Sequence, residues 1–262
     1  MKQQITTFLR GLPLIVLYGI WTAIFIPLCY WLLSIPEADF TTIVISALIF
    51  TACMLSFFSL QGTTIYWLGC AAEGQAKLNS VFLKGMLRSL FVDGAKVALL
   101  AVLMAPTFWL AMTLFPVTSP TPNADALLKQ PLTGQVKVEE KASSRTQYPI
   151  EIVRSALLWF ALPLLLLRLW SEAVLNGLDR AFKSLLGSAW NAWHPSMLLW
   201  AILPLLLVLG APVLLFSIEL KVENAYLALL LFTIKLATAW LLLVLGWLFA
   251  VTLTVTSVKT QF

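Results

Sequence analysis

The sequence predicts an all-α fold: an integral membrane bundle of about six transmembrane helices with two cytoplasmic interfacial amphipathic helices. Of the 262 residues, 60% are hydrophobic and only 11% are charged, and the mean hydropathy is +0.92. Because a soluble domain carries roughly 25% charged residues, this chain cannot cover a water-facing surface, and lipid must be its main solvent. The net charge of +5 therefore bears on membrane topology, and no nucleic-acid partner is expected.

Apolar runs long enough to cross a bilayer define the predicted spans, since a transmembrane helix needs about 20 apolar residues. The N-terminal run follows a basic start, as in a signal peptide. It continues to Leu33 without a small-residue cleavage site, which predicts an uncleaved first span. The predicted spans, which form a single transmembrane domain, are residues 12–34, 42–69, 93–115, 153–175, 197–217 and 232–257.

The distribution of basic residues predicts the orientation of these spans. With an even number of spans, the basic residues beside spans one, two, four and six fall on one side, which the positive-inside rule makes cytoplasmic. We therefore expect a bacterial inner-membrane protein with both termini in the cytoplasm. The long loop at 116–149 lies on the opposite side, and its composition predicts flexibility. Other membrane subunits, or its own packing on the outer face, are expected to hold it.

Two segments of the chain resemble each other at a shift of 103 residues. Each copy would comprise a span, a basic interfacial stretch and a returning span, as in folds built from parallel repeats. An evolutionary duplication and a shared physical constraint on any such hairpin are the two explanations. The matched pairs include Trp67 with Trp170, Gly74 with Gly177, and Lys77 with Arg180.

The basic stretch at 177–196, "GLDRAFKSLLGSAWNAWHPS", is amphipathic at 100° per residue. It predicts a helix in the membrane interface, with a counterpart near residues 74–91. We expect its basic residues to contact anionic lipid headgroups, with enforcement of topology as the simpler alternative. The polar face comprises Arg180, Lys183, Ser184, Gly187, Asn191 and His194. The predicted headgroup and interface residues of both helices are Lys77, Lys84, Arg88, Arg180, Lys183, Trp190 and Trp193.

Arg168, Glu172 and Lys235 are charged residues in predicted spans, where charges are costly and often functional. Arg168 and Glu172 lie four residues apart near the cytoplasmic end of the fourth span. They are expected to pair at the boundary, with Arg168 extending to the interface. Lys235 marks the outer interface if the sixth span begins at residue 236, which is the preferred interpretation. It lies mid-membrane if the span is 225–245, and would then indicate an ion or proton path.

Small residues predict two helix-packing faces, because they allow helices to approach closely in lipid. In the second span the residues that share an arc of about 60° are Ala52, Ser56, Ser59, Thr63 and Cys70. In the sixth span Gly246 and Ala250 predict a weaker contact of the same kind.

His194 is the only histidine, and a histidine can bind a metal or a chlorophyll-type pigment or transfer protons. Its position on the polar face beside Pro195, without a second histidine, favours a solvated or structural residue. We predict no metal and no cofactor, with pigment binding at His194 as the remaining option. The sequence has no GxSxG, HExxH or P-loop motif and no paired intramembrane carboxylates, so we predict no enzymatic activity.

The stretch "GLDRAFKSLLGSAWNAWHPSMLLWAILPLL" resembles uncharacterised bacterial six-span families, including the membrane domain attached to some glycerophosphodiester phosphodiesterases. The resemblance covers about 30 residues of each half and has no diagnostic motif. It implies an all-helical membrane module and assigns no functional residue.

The leading interpretation is a non-catalytic accessory or scaffold subunit of a larger bacterial membrane complex, which contacts lipids and other membrane subunits. One alternative is a transporter or lipid-handling module, with Lys235, Arg168 and Glu172 along a path. Another is a pigment-binding subunit of an energy-converting complex, which would use His194.

Overall fold

The computed structural model describes residues 2–35, 39–76, 80–114, 161–192, 201–204, 206–218 and 225–260. The described residues form helices and no strand, which confirms the all-α prediction. The helices are α1 (Lys2–Gly11), α2 (Leu14–Ser34), α3 (Phe40–Ala72), α4 (Ser80–Leu114), α5 (Leu162–Asn176), α6 (Leu178–Lys183), α7 (Leu185–Ala192), α8 (Ala211–Ser217) and α9 (Ala225–Lys259), with a π-helical segment at Leu206–Gly210 before α8.

Four helices, α2, α3, α4 and α9, are long and apolar enough to cross a membrane. They correspond to the predicted spans 12–34, 42–69, 93–115 and 232–257. The other two predicted spans extend over residues outside the described ranges. Their described parts are α5, with 15 residues, and the apolar helical residues 201–204 and 206–217.

The chain forms two compact units, one of Met1–Leu103 with Leu164–Phe262 and one of Met104–Pro163. All the packing and the sites discussed below belong to the first unit. In the second unit the structure describes the end of α4 and residues 161–163. The predicted loop 116–149 lies outside the described residues.

Local sequence signals explain where several helices begin and end. At the start of α3, Thr42 Oγ1 accepts a hydrogen bond from the backbone N–H of Asp39 at 3.2 Å, as half of a capping box. Gly74 follows α3 with a φ of 74°, and Gly177 follows α5 with a φ of 96°. Both angles favour glycine, which has no Cβ. These two glycines are matched in the predicted repeat, but Gly74 comes after the C-cap residue Glu73, whereas Gly177 joins α5 directly to α6.

The predicted interfacial helix at 74–91 is not a separate element. From Ser80 onward the chain forms one continuous helix, α4, whose first turns pack along α3. Ser89 Oγ donates a hydrogen bond to the Gly62 carbonyl at 3.3 Å, and Gly94 lies directly against Ser59. These contacts hold the basic turns of α4 in the bundle, so the helix starts 13 residues before the predicted span at 93.

The predicted interfacial helix at 177–196 is interrupted. It divides at Ser184 into α6 and α7. The Ser184 hydroxyl donates to the carboxylate of Glu172 on α5, and it also contacts the Ala181 carbonyl at 3.3 Å. Ser184 and Ser188 therefore face the protein, whereas the angular pattern placed Ser184 on the wet face beside Arg180.

The core is concentrated at one end of the bundle, called here the Lys259 end. No residue between Val244 and Val258 on α9 or between Phe57 and Ala72 on α3 is exposed. Farther along, α2, α3 and α9 expose large apolar side chains, a region named here the apolar band. On α9 the band runs from Tyr226 to Leu243, about 26 Å at 1.5 Å per residue. Its exposed side chains include Ile20, Ile24, Tyr30 and Leu33 on α2, Ile43, Leu48, Phe50 and Leu55 on α3, and Tyr226, Leu229, Phe232, Leu236 and Leu243 on α9.

Candidate functional site

A buried ion pair joins α5 to α9 at the Lys259 end. Arg168 Nε lies 3.5 Å from Glu172 Oε1, and one terminal nitrogen of Arg168 donates to Ser257 Oγ at 2.5 Å. The predicted pairing of Arg168 with Glu172 is thus observed. Arg168 does not extend to the surface, however, because its side chain is 0% exposed and its guanidinium is directed at α9.

Hydroxyl groups surround this ion pair. Ser171 Oγ lies 3.1 Å from Thr254 Oγ1, and Ser184, which donates to Glu172, lies 3.3 Å from Ser188 Oγ. We name this set the Arg168 cluster: Arg168, Ser171, Glu172, Ser184, Ser188, Thr254 and Ser257. The cluster connects α5, α7 and α9, with Ser184 at the junction of α6 and α7, through polar contacts inside the protein. This arrangement suits a role in holding these helices together.

A second polar cluster, which the sequence interpretation missed, connects three long helices. Gln61 Oε1 on α3 accepts hydrogen bonds from Tyr18 of α2 at 3.2 Å and from Trp247 of α9 at 2.8 Å. The Tyr18 hydroxyl also lies 3.2 Å from Thr64 Oγ1. Gln61 is 1% exposed, and its Nε2 has no hydrogen-bond partner among the described residues. An amide inside an apolar helix was the only sequence signal for this cluster.

Basic side chains cover the carbonyl end of α3. Lys259 forms an ion pair with Glu73 at 2.6 Å and donates to the Gly69 carbonyl. Arg10 donates to the Ala71 carbonyl at 3.0 Å, and Trp67 Nε1 donates to the Arg10 carbonyl at 3.2 Å. Cations at a helix C-terminus satisfy its last carbonyls and oppose its dipole, so these contacts fix α1 and α9 to α3.

Lys235 lies far from the other charged residues of the predicted path. Its ammonium donates to the Ile218 carbonyl, at the end of α8. Along α9, Lys235 lies 22 residues from Ser257, about 33 Å, and Ser257 is the residue that contacts Arg168. The structure therefore does not bring Lys235 together with Arg168 and Glu172.

The basic residues predicted to contact lipid are exposed where the structure describes them. Lys84 and Arg88 share one face of α4, and Arg180 and Lys183 are exposed on α6. Trp190 of α7 is 76% exposed. Large exposed apolar side chains flank Lys84 and Arg88 on both sides, namely Val81, Leu83, Leu87, Phe91 and Val92. A surface on which cations alternate with exposed apolar side chains is better suited to contact with lipid than with water. Lys77, Trp193 and His194 lie outside the described residues.

Replacing Lys84 and Arg88 together by glutamine is expected to weaken the binding of anionic lipid by about 30-fold. Each basic residue near an anionic surface contributes about 1 kcal/mol, and about 2 kcal/mol corresponds to that change in the dissociation constant. Native mass spectrometry of the purified protein titrated with phosphatidylglycerol measures it. Lys235→Gln, which removes a cation from the apolar band, is the control. Equal lipid binding by the double variant and the wild type would show that these cations only set topology.

The two predicted packing faces are used to different extents. Gly246 lies against Pro204, Leu207 and Val208, and Ala250 is buried, so that face packs as predicted. The face on α3 divides into two halves. Ser59 and Thr63 are packed inside the chain, whereas Ala52 and Ser56 are exposed, and Ser56 accepts a hydrogen bond from Trp21 Nε1 at 3.1 Å.

The described residues define a class: they are helical and include four helices long and apolar enough to cross a membrane. Comparison with known proteins finds no matching family model, no matching curated protein and no matching solved structure. Within the part of the chain that the structure describes, no three His, Cys, Asp or Glu residues group as metal ligands would.

Proposed function

We propose that this chain is a non-catalytic accessory subunit of a larger membrane protein complex, which it joins through the helices of its apolar band. One observation carries the proposal: the small-residue face of α3 is filled in one half and open in the other. Gly94 packs on Ser59, whereas Ala52 and Ser56 are exposed. Since helix association in lipid depends on close packing at small residues, the open half suits a helix of another subunit.

A photoreactive amino acid at Ala52 tests this proposal in native membranes. We expect it to capture one membrane protein that also co-purifies with the chain at a fixed stoichiometry. A second protein carries the photoreactive amino acid at Ser56 together with the substitution Ala52→Leu. We expect no crosslinked product from it, because the bulkier leucine prevents the close approach of the partner helix to α3.

The matched control is the same probe at Leu186, an apolar residue of α7 that is 84% exposed outside the apolar band. It is expected to capture lipid only. A monodisperse lone protein, or the same products from both positions, would rule out the proposed role.

The same proposal includes the finer features of the membrane arrangement. We place six spans in a bacterial inner membrane, with both termini in the cytoplasm, and we relate the two halves by a parallel duplication. The exposed basic residues of α4 and α6 support the orientation through the positive-inside rule. The positive φ angles of Gly74 and Gly177 support the duplication.

A lipid-handling module is the second candidate, because Lys84 and Arg88 are exposed among apolar side chains on α4. A transport path through Lys235, Arg168 and Glu172 has less support, since Lys235 lies about 33 Å along α9 from Ser257, which contacts Arg168. Pigment binding at His194 stays a prediction on a residue outside the described ranges.

A further inference from the structure

The side-chain amide of Gln61 has a fixed orientation inside the bundle. Its Oε1 accepts a hydrogen bond from Trp247 Nε1 at 2.8 Å and another from the Tyr18 hydroxyl at 3.2 Å. An indole nitrogen is only a donor, so exchange of the amide oxygen and nitrogen would place two donors against each other. The protons of Gln61 Nε2 are therefore directed away from Trp247, and this nitrogen has no hydrogen-bond partner among the described residues.

The indole of Trp170 on α5 is a second buried donor of this kind. Its Nε1 also has no hydrogen-bond partner within the part of the chain that the structure describes, and the residue is 4% exposed. Its ring packs edge-on against that of Phe58 on α3, with the centroids 6.2 Å apart. Phe58 precedes Gln61 by three residues, which places both on one turn of α3 and within about 60° of each other. Gln61 and Trp170 therefore border the same part of the interior.

The energies favour a bound group at these two donors. A buried donor that makes no hydrogen bond costs about 1–3 kcal/mol, and two such donors cost about twice as much. Immobilising one water molecule costs about 0–2 kcal/mol. Because the first cost equals or exceeds the second, a water molecule that accepts hydrogen bonds from both donors lowers the free energy of the folded protein.

The chemistry of the two donors excludes larger or charged occupants. Both unpaired groups are N–H donors, which a metal cation cannot use as ligands. An anion would be a buried charge held by neutral groups alone, which is costly. A lipid headgroup cannot enter, because Gln61 is only 1% exposed. Water also carries two protons, and the hydroxyl oxygens of Tyr18 and Thr64, which lie 3.2 Å apart, have lone pairs that can accept them.

We propose that Gln61 and Trp170 bind a water molecule inside the bundle. The water accepts one hydrogen bond from Gln61 Nε2 and one from Trp170 Nε1, and it donates to a hydroxyl group beside Gln61. The site lies just beyond the apolar band, since Trp247 follows Leu243 by four residues on α9, about 6 Å. The bound water links α5 to the contact of α2, α3 and α9, and it does not depend on the proposed subunit role.

Solid-state NMR with magnetisation transfer from water tests the proposal on the full-length protein in phosphatidylcholine bilayers. The glutamine side chains and tryptophan indoles carry isotope-labelled nitrogen, and Gln61→Met and Trp170→Phe assign the two signals. We expect transfer from water to Gln61 Nε2 and Trp170 Nε1 to be faster than transfer to Trp67 Nε1. Trp67 is the matched control because its Nε1 donates to the Arg10 carbonyl at 3.2 Å, although at 9% it is more exposed than Trp170.

The Trp170→Phe variant also tests whether the two donors share one water molecule. Phenylalanine keeps a ring against Phe58 and removes the N–H group, so transfer from water to Gln61 Nε2 should become slower; unchanged transfer would refute the shared site. In the wild type, transfer to Gln61 and Trp170 no faster than to Trp67 would overturn the bound water. Cross-peaks from either donor to lipid or to another residue of the chain, in place of water, would overturn it as well.

Discussion

Replacing Arg168 by methionine is expected to lower the free energy of unfolding by about 3–5 kcal/mol. Arg168 is fully buried and faces Glu172 and Ser257. Loss of one member of a buried ion pair leaves the other charge buried without compensation. Reversible unfolding in bicelles measures the free energy of unfolding of the purified wild type and of the Arg168→Met and Glu172→Met variants.

The double variant Arg168→Met/Glu172→Met separates this cause from simple loss of packing. With both charges removed, no buried charge is left uncompensated, so we expect most of the stability to return. Lys183→Met is the control, because Lys183 is exposed on α6 and surface substitutions usually change stability by no more than about 0.5 kcal/mol. A double variant as unstable as Arg168→Met would contradict the electrostatic explanation.

Gly62→Ala and Gly94→Ala are expected to destabilise the bundle by about 1–3 kcal/mol each, which is the usual cost of overpacking. A Cβ on Gly62 would lie 2.5 Å from the Gly94 backbone nitrogen, and a Cβ on Gly94 would lie 2.7 Å from Ser59 Cα. Backbone cannot move aside as a flexible side chain can, so α3 and α4 must separate. The same unfolding assay measures the effect.

Gly187→Ala, in contrast, is expected to stabilise the protein. Nothing lies within 4 Å of a Cβ at Gly187, and alanine is favoured over glycine in a helix by about 1 kcal/mol. This variant should therefore be more stable than the wild type. If Gly62→Ala and Gly94→Ala were also stabilising, the close approach of α3 and α4 would be wrong.

The long helices were predictable from the sequence because run length alone identifies them. The boundaries of these helices were less predictable, as α4 shows. The basic residues Lys77, Lys84 and Arg88 indicated a separate interfacial helix. In the structure Gly85, Ser89 and Gly94 lie on the face that packs against α3. A contact with another helix thus decides where α4 begins, and a local charge pattern does not contain that contact.

The polar sites were predictable only where both partners lie on one helix. Arg168 and Glu172 are four residues apart, and periodicity pairs them. Ser257, which directs the guanidinium inward, is 89 residues from Arg168, and Trp247, which bonds to Gln61, is 186 residues away from it. Such pairs depend on which helices become neighbours, so the sequence interpretation placed Arg168 at the interface and missed Gln61.

The length of the apolar band has a consequence for the lipids around the protein. At about 26 Å on α9, it is shorter than the hydrocarbon core of an average bilayer, which is about 30 Å. A bilayer matched to this band is about 4 Å thinner than average, and each Å of mismatch costs fractions of a kcal/mol. The distribution of this protein in a membrane should therefore depend on the length of the lipid acyl chains. We expect it to partition into bilayers of shorter lipids and to cluster where neighbouring proteins have already thinned the membrane.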